Sequence, residues 1–384
     1  MKFSATVFTI AFSALGLITL ISSTGKSVPQ KPAPPKIQAA ILLDVSGSMD
    51  GLIEQAKAQL WNMVSTMGKA KCNGDVSPKI EIALYEYGRS TNDIKQGYVK
   101  QINGFISDLD SLSQNLFSLK TNGGDEFCGH VIYSSLQELQ WDAAPENYKV
   151  IFIAGNEDFL QGDIQYTRSC AEAKLKGVIV NTIYCGDKMQ GIREHWNLAG
   201  ECGNGSFTNI NQDAKIEEIP TPYDTTLYVL NGKLNGTYIA YGYSGQASFS
   251  KMYDMDAVNT AGSREAGLKR IAVKGKKELY RNDNWDLVDR FATDSLKSFT
   301  FSKEELPDSL KNKSKDEIKK IVEEKSKLRN TIQQQIATVN SQREAYINAE
   351  KAKNAATKNN AQTLETEVEK IIKEQAKRFN MKIE

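Results

Sequence analysis

The sequence lacks an excess of either charge and lacks the short motifs of the common enzyme classes. Its 384 residues contain 48 lysines and arginines against 47 aspartates and glutamates, so bulk charge does not favour nucleic acid or an anionic surface as a partner. It has two histidines and no nucleophile elbow, phosphate-binding loop, dinucleotide fingerprint or zinc-protease helix motif. These absences argue against nucleic-acid binding and against an enzyme of those classes.

Cysteine is scarce and irregularly spaced. Five cysteines lie at positions 72, 128, 170, 185 and 202, without the paired Cys-x-x-Cys spacing of zinc sites. Cys128 and His130 are close enough in sequence to suggest a nucleophile pair, but helix packing or capping is the favoured interpretation. In an oxidising compartment the odd count allows two disulfides and one free thiol, and the connectivity stays open.

The N-terminal segment predicts export. Residues 3–25 follow Lys2, carry no charge and are rich in Phe, Leu, Ile and Ala, as in a signal peptide or a membrane anchor. Residues 26–36 form a linker, and four prolines between positions 27 and 36 make it stiff. We therefore expect a protein of the periplasm or cell envelope whose sole membrane contact is the segment 1–25.

Residues 41–49 read ILLDVSGSM and join a buried strand to a loop of oxygen-bearing side chains. The aliphatic run 39–43 is typical of a strand buried on both faces of a parallel sheet, and such sheets bind ligands at the carboxyl ends of their strands. Asp44, Ser46 and Ser48 offer hard oxygens from alternate positions of one turn. The motif predicts a divalent-cation site, against the alternative of a helix cap and turn-filling serines.

Apolar strands and helical patterns alternate along the first half of the chain. Strand patterns recur at 80–87, 148–154, 178–184 and 205–210, and helical patterns lie between them. This alternation predicts an α/β fold, a Rossmann-like doubly wound and mostly parallel sheet.

On these residues the sequence resembles the von Willebrand factor A (VWA) family, whose metal-ion-dependent adhesion site opens with Asp-x-Ser-x-Ser. The resemblance covers residues 37–212 and implies two further ligand loops, usually Gly-Gly-Thr and Thr-Asp-Gly. Here Asp125 follows Gly123 and Gly124 in place of threonine, and Asn156 stands in place of aspartate. Glu126 takes the role of Asp125 if the loop is shifted by one residue, and Thr121 is the weakest alternative.

The resemblance implies a specific ligand set and a class of partner. The expected metal ligands are Asp44, Ser46, Ser48, Asp125 and Asn156. Mg²⁺ is the expected ion, with Mn²⁺ and Ca²⁺ as alternatives. A bound ion would accept a carboxylate from a protein or peptide ligand. The rivals are a metal-independent cell-envelope scaffold that binds through its C-terminal helices, and a metal-dependent hydrolase.

Beyond residue 212 the composition changes. Residues 213–300 predict a small mixed α/β region, in which Asp283, Asp286 and Asp289 are interpreted as acids of a helix start rather than a calcium site. Residues 301–384 are densely charged and predict an α-helical hairpin or coiled coil that also offers self-association. The first predicted seam consists of Ile318, Ile321, Leu328, Ile332, Val339 and Tyr346. The second consists of Leu364, Val368, Ile371 and Phe379.

Overall fold

The structure, a computed structural model, describes residues 35–72, 76–213, 218–293, 302–354 and 364–383. Its main sheet has six strands: β1 (Lys36–Asp44), β2 (Lys79–Tyr87), β3 (Lys100–Ile106), β4 (Tyr148–Gly155), β5 (Ile179–Cys185) and β6 (Phe207–Ile210). Their spatial order is β3-β2-β1-β4-β5-β6, and all neighbours are parallel except β3, which is antiparallel to β2. This is a doubly wound order, so the predicted fold class is confirmed.

Strand β1 lies at the centre of the sheet between β2 and β4. Ile41 is paired with Leu84 on one side and with Phe152 on the other. Ile41 and Leu43 face one core and Leu42 faces the other, because helices cover both faces of the sheet. Burial on both faces explains why the strand reads as an unbroken aliphatic run.

Helices form a layer on each face of the sheet. One layer contains α1 (Asp50–Met67) and α2 (Leu109–Ser118). The other contains α3 (Cys128–Glu138), α4 (Tyr166–Lys176) and α6 (Trp196–Cys202), with α5 (Lys188–Arg193) before α6. The methionines of α1, Met63 and Met67, lie in the core between the first of these layers and the sheet.

The described residues of the segment 218–354 form helices and loops, which differs from the mixed α/β region predicted for 213–300. They form α7 (Asp224–Asn235), α8 (Gly245–Gly262), α9 (Arg264–Lys274), α10 (Leu287–Thr293), α11 (Asp308–Lys311) and α12 (Lys315–Asn354). In the described part of this region, β pairing is limited to an isolated bridge between Ala240 and Asp286. Leu227, Leu230 and Leu234 recur at helical spacing and are buried, which outweighs the local tyrosines and threonines.

Helix α12 packs on α7, α9 and α10 along a stripe that differs from the predicted seam. Leu328 and Tyr346 are 49% and 37% exposed, so this part of the prediction is wrong. The buried stripe consists of Ile318, Val322, Arg329, Ile332, Ile336, Arg343 and Ile347.

Two buried arginines explain the difference. Arg329 pairs with Asp286 and Asp289 at 2.6 Å each, and Arg343 pairs with Asp224 at 3.0 Å. A pattern that counts apolar residues assigns arginine to solvent, whereas acidic partners on neighbouring helices allow burial here. The carboxylates of Asp286 and Asp289 therefore form ion pairs with the buried guanidinium of Arg329.

The last helix, α13 (Leu364–Ala376), packs on α1 and β6 of the sheet domain. Its side chains Leu364, Val368, Ile371 and Ile372 belong to the same core as α1. Gln375 is buried and accepts a hydrogen bond from the Tyr148 hydroxyl at 2.9 Å. Beyond α13, the two-residue strand Lys382–Ile383 pairs antiparallel with Ala70–Lys71.

The position of α13 changes the predicted organisation. Its apolar side faces the sheet domain, so the described helices α12 and α13 do not share the apolar seam of the predicted hairpin. The α/β domain is completed by a helix more than 150 residues beyond β6 and is discontinuous in sequence, unlike the predicted segment 37–212. The described residues belong to one compact unit.

One disulfide joins Cys170 of α4 to Cys202 of α6, and Cys72, Cys128 and Cys185 are free thiols. The second disulfide that the cysteine count allowed is therefore absent from the structure. Within the described ranges no helix is both long and apolar enough to cross a membrane. The predicted segment 1–25 and most of the predicted linker lie outside the described residues.

Candidate metal centre

Three loops meet at the carboxyl edge of the sheet. The first loop, residues 45–49, follows β1; the second, 119–127, joins α2 to α3; and the third, 156–165, follows β4. Because β1 and β4 are parallel neighbours, their carboxyl ends lie side by side. The backbone N–H of Asn122 donates to the carbonyl of Val45 at 2.9 Å, which ties the second loop to the first.

Asp44 is fully buried at the end of β1. Its Oδ1 accepts the backbone N–H of Ser46 at 2.7 Å, whereas its buried Oδ2 makes no hydrogen bond of normal geometry with the described residues. Burial raises the pKa of this carboxyl to about 7, against which the N–H groups of Ser46 and Asn156 act in part. The carboxylate is thus costly to keep charged without a cation.

The hydroxyl groups of the two serines of the motif lie close to each other. Ser46 is buried and Ser48 is exposed, and their hydroxyl oxygens are 3.5 Å apart. This arrangement places one hydroxyl inside the site and one at its solvent side.

The second loop brings Glu126 against Asp44 and leaves Asp125 exposed. Glu126 is 7% exposed. A Cβ added at Gly88 would lie 2.9 Å from Asp44 Oδ1 and 3.0 Å from Glu126 Cγ, so the two side chains flank the same point. Burial, followed by the charges of Asp44 and Glu157, raises the pKa of Glu126 to about 7. The structure therefore places Glu126 inside the site and Asp125 on its exposed edge, from which the charge of Asp125 also acts on Glu126.

Asn156 completes the group from the third loop. Its Nδ2 lies 3.3 Å from Ser48 Oγ, and its Oδ1 is buried without a hydrogen-bond partner among the described residues. The exposed neighbour Glu157 adds negative charge, which acts on both Asp44 and Glu126. The amide oxygen is consequently free to accept a ligand.

Other candidate residues have different partners. Thr121 donates its hydroxyl hydrogen to Asp50. Cys128 is buried with a raised pKa and approaches the Tyr87 hydroxyl at 3.8 Å. A Cβ at Gly97 would lie 2.4 Å from His130 Nδ1, so that ring packs against the turn before β3 rather than on the thiol. The Cys128–His130 pair is therefore not formed.

Two glycines, which sequence reasoning missed, make room for the site. Gly88 has φ +80°, a left-handed conformation that favours glycine, directly after β2. A Cβ at Gly155 would lie 2.4 Å from the Tyr87 hydroxyl and 3.0 Å from Asp44 Oδ2. The signal by which they could have been found is a glycine at the carboxyl end of each strand that flanks β1, directly after β2 and as the last residue of β4.

The residues present fit a small, hard cation. In the described part of the chain no group of three or more His, Cys, Asp and Glu side chains is placed to hold a metal. The set here combines the carboxylates of Asp44 and Glu126 with hydroxyl and amide oxygens, which are ligand types of Mg²⁺ and Ca²⁺. Buried acceptors without donors, Asp44 Oδ2 and Asn156 Oδ1, are the groups that such an ion would satisfy.

Among known proteins, the chain is similar to solved structures of low sequence identity. No family model and no curated protein matches the chain. A structure of proximal thread matrix protein 1 from the mussel byssus with a zinc-occupied MIDAS motif is similar over 46% of this chain and 42% of that chain, with 13% identity and a TM-score of 0.35. The SpRpn10 VWA domain is similar over 46% of this chain and 88% of that chain, with 13% identity and a TM-score of 0.35.

A von Willebrand factor type A structure from Catenulispora acidiphila is similar over 47% of this chain and 39% of that chain, with 15% identity and a TM-score of 0.34. The chain thus spans less than half of the mussel and Catenulispora chains. At these identities the similarity concerns the fold alone. The strand order and the three loops at the carboxyl edge agree with the doubly wound sheet that the VWA resemblance implied.

Proposed function

We propose that the α/β domain binds a protein or peptide ligand through a divalent cation at the carboxyl edge of its sheet. The observation that carries this proposal is the pair of buried, unpartnered oxygens, Asp44 Oδ2 and Asn156 Oδ1, beside Glu126. A buried polar atom without a partner costs about 1–3 kcal/mol, and a bound cation would remove that cost. The class of ligand follows from the VWA resemblance.

Each residue would have a definite part in holding the ion. Asp44, whose Oδ1 is fixed by the N–H of Ser46, would present Oδ2, and Ser46 and Ser48 would present hydroxyls. Glu126 would supply the second carboxylate and Asn156 would supply an amide oxygen. Asp125 would lie at the exposed edge of the site. When bound, Mg²⁺ supplies a coordination position for a carboxylate of the ligand. Ser48 is exposed, so the ligand has access from that side.

We also propose that the protein is exported to the periplasm or cell envelope, with the N-terminal segment as its membrane contact. The support is the uncharged segment 3–25 and the disulfide Cys170–Cys202, since disulfides persist in oxidising compartments. We propose no catalytic activity.

The scaffold alternative is narrowed by the fold. The apolar sides of both α12 and α13 are buried within the same chain, so a metal-independent partner or self-association would use the exposed, charged sides of these helices. Binding that persists in EDTA and after Asp44→Ala would favour this alternative.

The metal part of the proposal is tested by calorimetric titration of the full chain with Mg²⁺, Mn²⁺ and Ca²⁺. We expect binding by the wild type, an affinity at least tenfold lower for Glu126→Gln, and an affinity within threefold of wild type for Asp125→Asn. The two residues are adjacent but differ in burial, so they are a matched pair. Absence of heat with all three ions would refute the cation site.

The ligand part is tested with a displayed peptide library. The full chain is immobilised in Mg²⁺, and bound peptides are eluted with EDTA. We expect an acidic residue at a common position in the eluted peptides and no enrichment with Asp44→Ala. Peptides without acidic residues, or equal enrichment in EDTA, would contradict a cation-bridged carboxylate.

A further inference from the structure

The third loop is held in place by the junction between α5 and α6. The indole Nε1 of Trp196 donates to the carbonyl of Glu157 at 2.7 Å. The ring Nδ1 of His195 lies 3.0 Å from Asp158 Oδ1, and because an ionised carboxylate only accepts, Nδ1 donates. The N–H of Phe159 donates to the carbonyl of Glu194 at 3.0 Å. Three consecutive residues of the loop are therefore bonded to three consecutive residues of the junction.

The junction itself is fixed to the sheet. Trp196 is fully buried, and its carbonyl accepts the hydroxyl of Thr182 on β5 at 2.8 Å. The rings of Phe159 and Tyr184 pack edge-on against the indole, with centroids 4.9 and 5.8 Å away. Through Trp196, the third loop is thus anchored to strand β5 of the sheet.

His195 adopts a backbone conformation that is unfavourable for its residue type. Its φ is 65°, in the left-handed region that favours glycine. The preceding helix α5 ends at Arg193 and α6 begins at Trp196, so this turn reverses the chain beside the third loop. A strained turn aimed at a proposed ligand loop is a reason to assign it a role.

We propose that His195 and Trp196 are positioning residues that hold Asn156 at the distance a cation requires. Asn156 directly precedes Glu157, whose carbonyl accepts the hydrogen bond from Trp196. Its Nδ2 lies 3.3 Å from the Ser48 hydroxyl, and its Oδ1 has no hydrogen-bond partner among the described residues. Residues that orient metal ligands change metal affinity about 10–100-fold when they are removed. This inference rests on the proposed cation site.

Substitutions at position 195 separate the side chain from the backbone strain. His195→Gly removes the donor and relieves the left-handed strain. Its thermal stability in EDTA should therefore equal or exceed that of wild type if the fold does not depend on the imidazole. His195→Asn keeps a donor at about the place of Nδ1 and tolerates the left-handed region. Asp158→Ala removes the acceptor on the other side of the same contact and serves as an independent variant.

The experiment is Mn²⁺ titration of the full chain, followed by electron paramagnetic resonance of free Mn²⁺, with thermal unfolding measured in EDTA. We expect His195→Gly and Asp158→Ala to raise the Kd for Mn²⁺ at least tenfold, and His195→Asn to stay within threefold of wild type. Wild-type affinity in both His195→Gly and Asp158→Ala would overturn the inference while leaving the proposed site intact. A wild type that binds no Mn²⁺ would instead refute the proposed site and, with it, this inference.

Discussion

Replacing Ile372 of α13 by alanine should destabilise the sheet domain, although this residue lies far beyond the last strand in sequence. Ile372 is fully buried in the core shared by α1 and the sheet. Truncation of a buried isoleucine to alanine costs about 2–5 kcal/mol, because apolar contact is lost and a cavity is left. Glu374, two residues further along α13, is exposed, and its replacement by alanine should change stability by no more than about 0.5 kcal/mol.

The assay is urea unfolding of the full chain, combined with hydrogen exchange resolved along the sequence. Ile372→Ala should lower the free energy of unfolding by the stated amount and reduce amide protection in β1 and α1. Glu374→Ala should do neither. Helix α12 packs on α7, α9 and α10. If these helices and the sheet domain open separately, Ile372→Ala should reduce amide protection less in α12 than in α1.

Deletion of residues 355–384 extends the same reasoning. The shortened chain keeps all six strands of the main sheet but loses the buried side chains of α13 and the strand partner of Ala70–Lys71. We expect loss of cooperative unfolding in the sheet domain, and recovery when a peptide of residues 362–384 is added. A shortened chain as stable as the full chain, together with an unchanged free energy for Ile372→Ala, would refute the assignment of α13 to the sheet domain.

Three further predictions concern charge and backbone. Burial raises the pKa of Asp44 from 3.8 to about 7, so the cation-free native state retains a proton that the unfolded state releases. The stabilising contribution of this proton is therefore complete below about pH 4 and is lost as pH rises through 7. In EDTA at pH 8, the free energy of unfolding of Asp44→Asn, measured in urea, should exceed that of wild type by up to about 4 kcal/mol. An equal difference at pH 4 and pH 8 would contradict this. Gly88→Ala should lower the free energy of unfolding by about 1–2 kcal/mol and weaken cation binding, because φ is +80° and the added Cβ meets Asp44. Gly232→Ala in α7, where the surrounding space is open, should instead stabilise the protein by about 0.5–1 kcal/mol in thermal unfolding. Equal effects of the two substitutions would refute the strain argument. Arg329→Ala should lower the free energy of unfolding by about 3–5 kcal/mol, because Asp286 is left buried without its partner, and a loss below about 1 kcal/mol would show that the pair contributes little.

Much of the fold could be predicted because its signals are local. The aliphatic run of β1 and the Asp44-Ser46-Ser48 turn adjoin each other in sequence, and the structure places them as expected. A strand buried on both faces and the helix that follows it are defined by periodicity alone.

The composition of the site was only partly accessible from the sequence. Whether Asp125 or Glu126 faces Asp44 depends on a one-residue shift of the second loop, which is set by contacts with other loops such as the bond from Asn122 to Val45. No local pattern records such a contact. The same applies to His195, whose only sequence signal is a histidine in an apparent helix, whereas its bond to Asp158 joins residues 37 positions apart.

The sequence by itself determined most strands of the main sheet, the polar loop after β1 and the helical character of residues 315–354 and 364–376. The tertiary structure decided what those elements contact. Arg329 and Arg343 are buried because acidic partners on distant helices neutralise them, and α13 covers the sheet because its apolar side fits the core beside α1. Local propensity and periodicity depend on neighbours in the chain, but burial of a charge or of a helix face depends on what the fold brings opposite it.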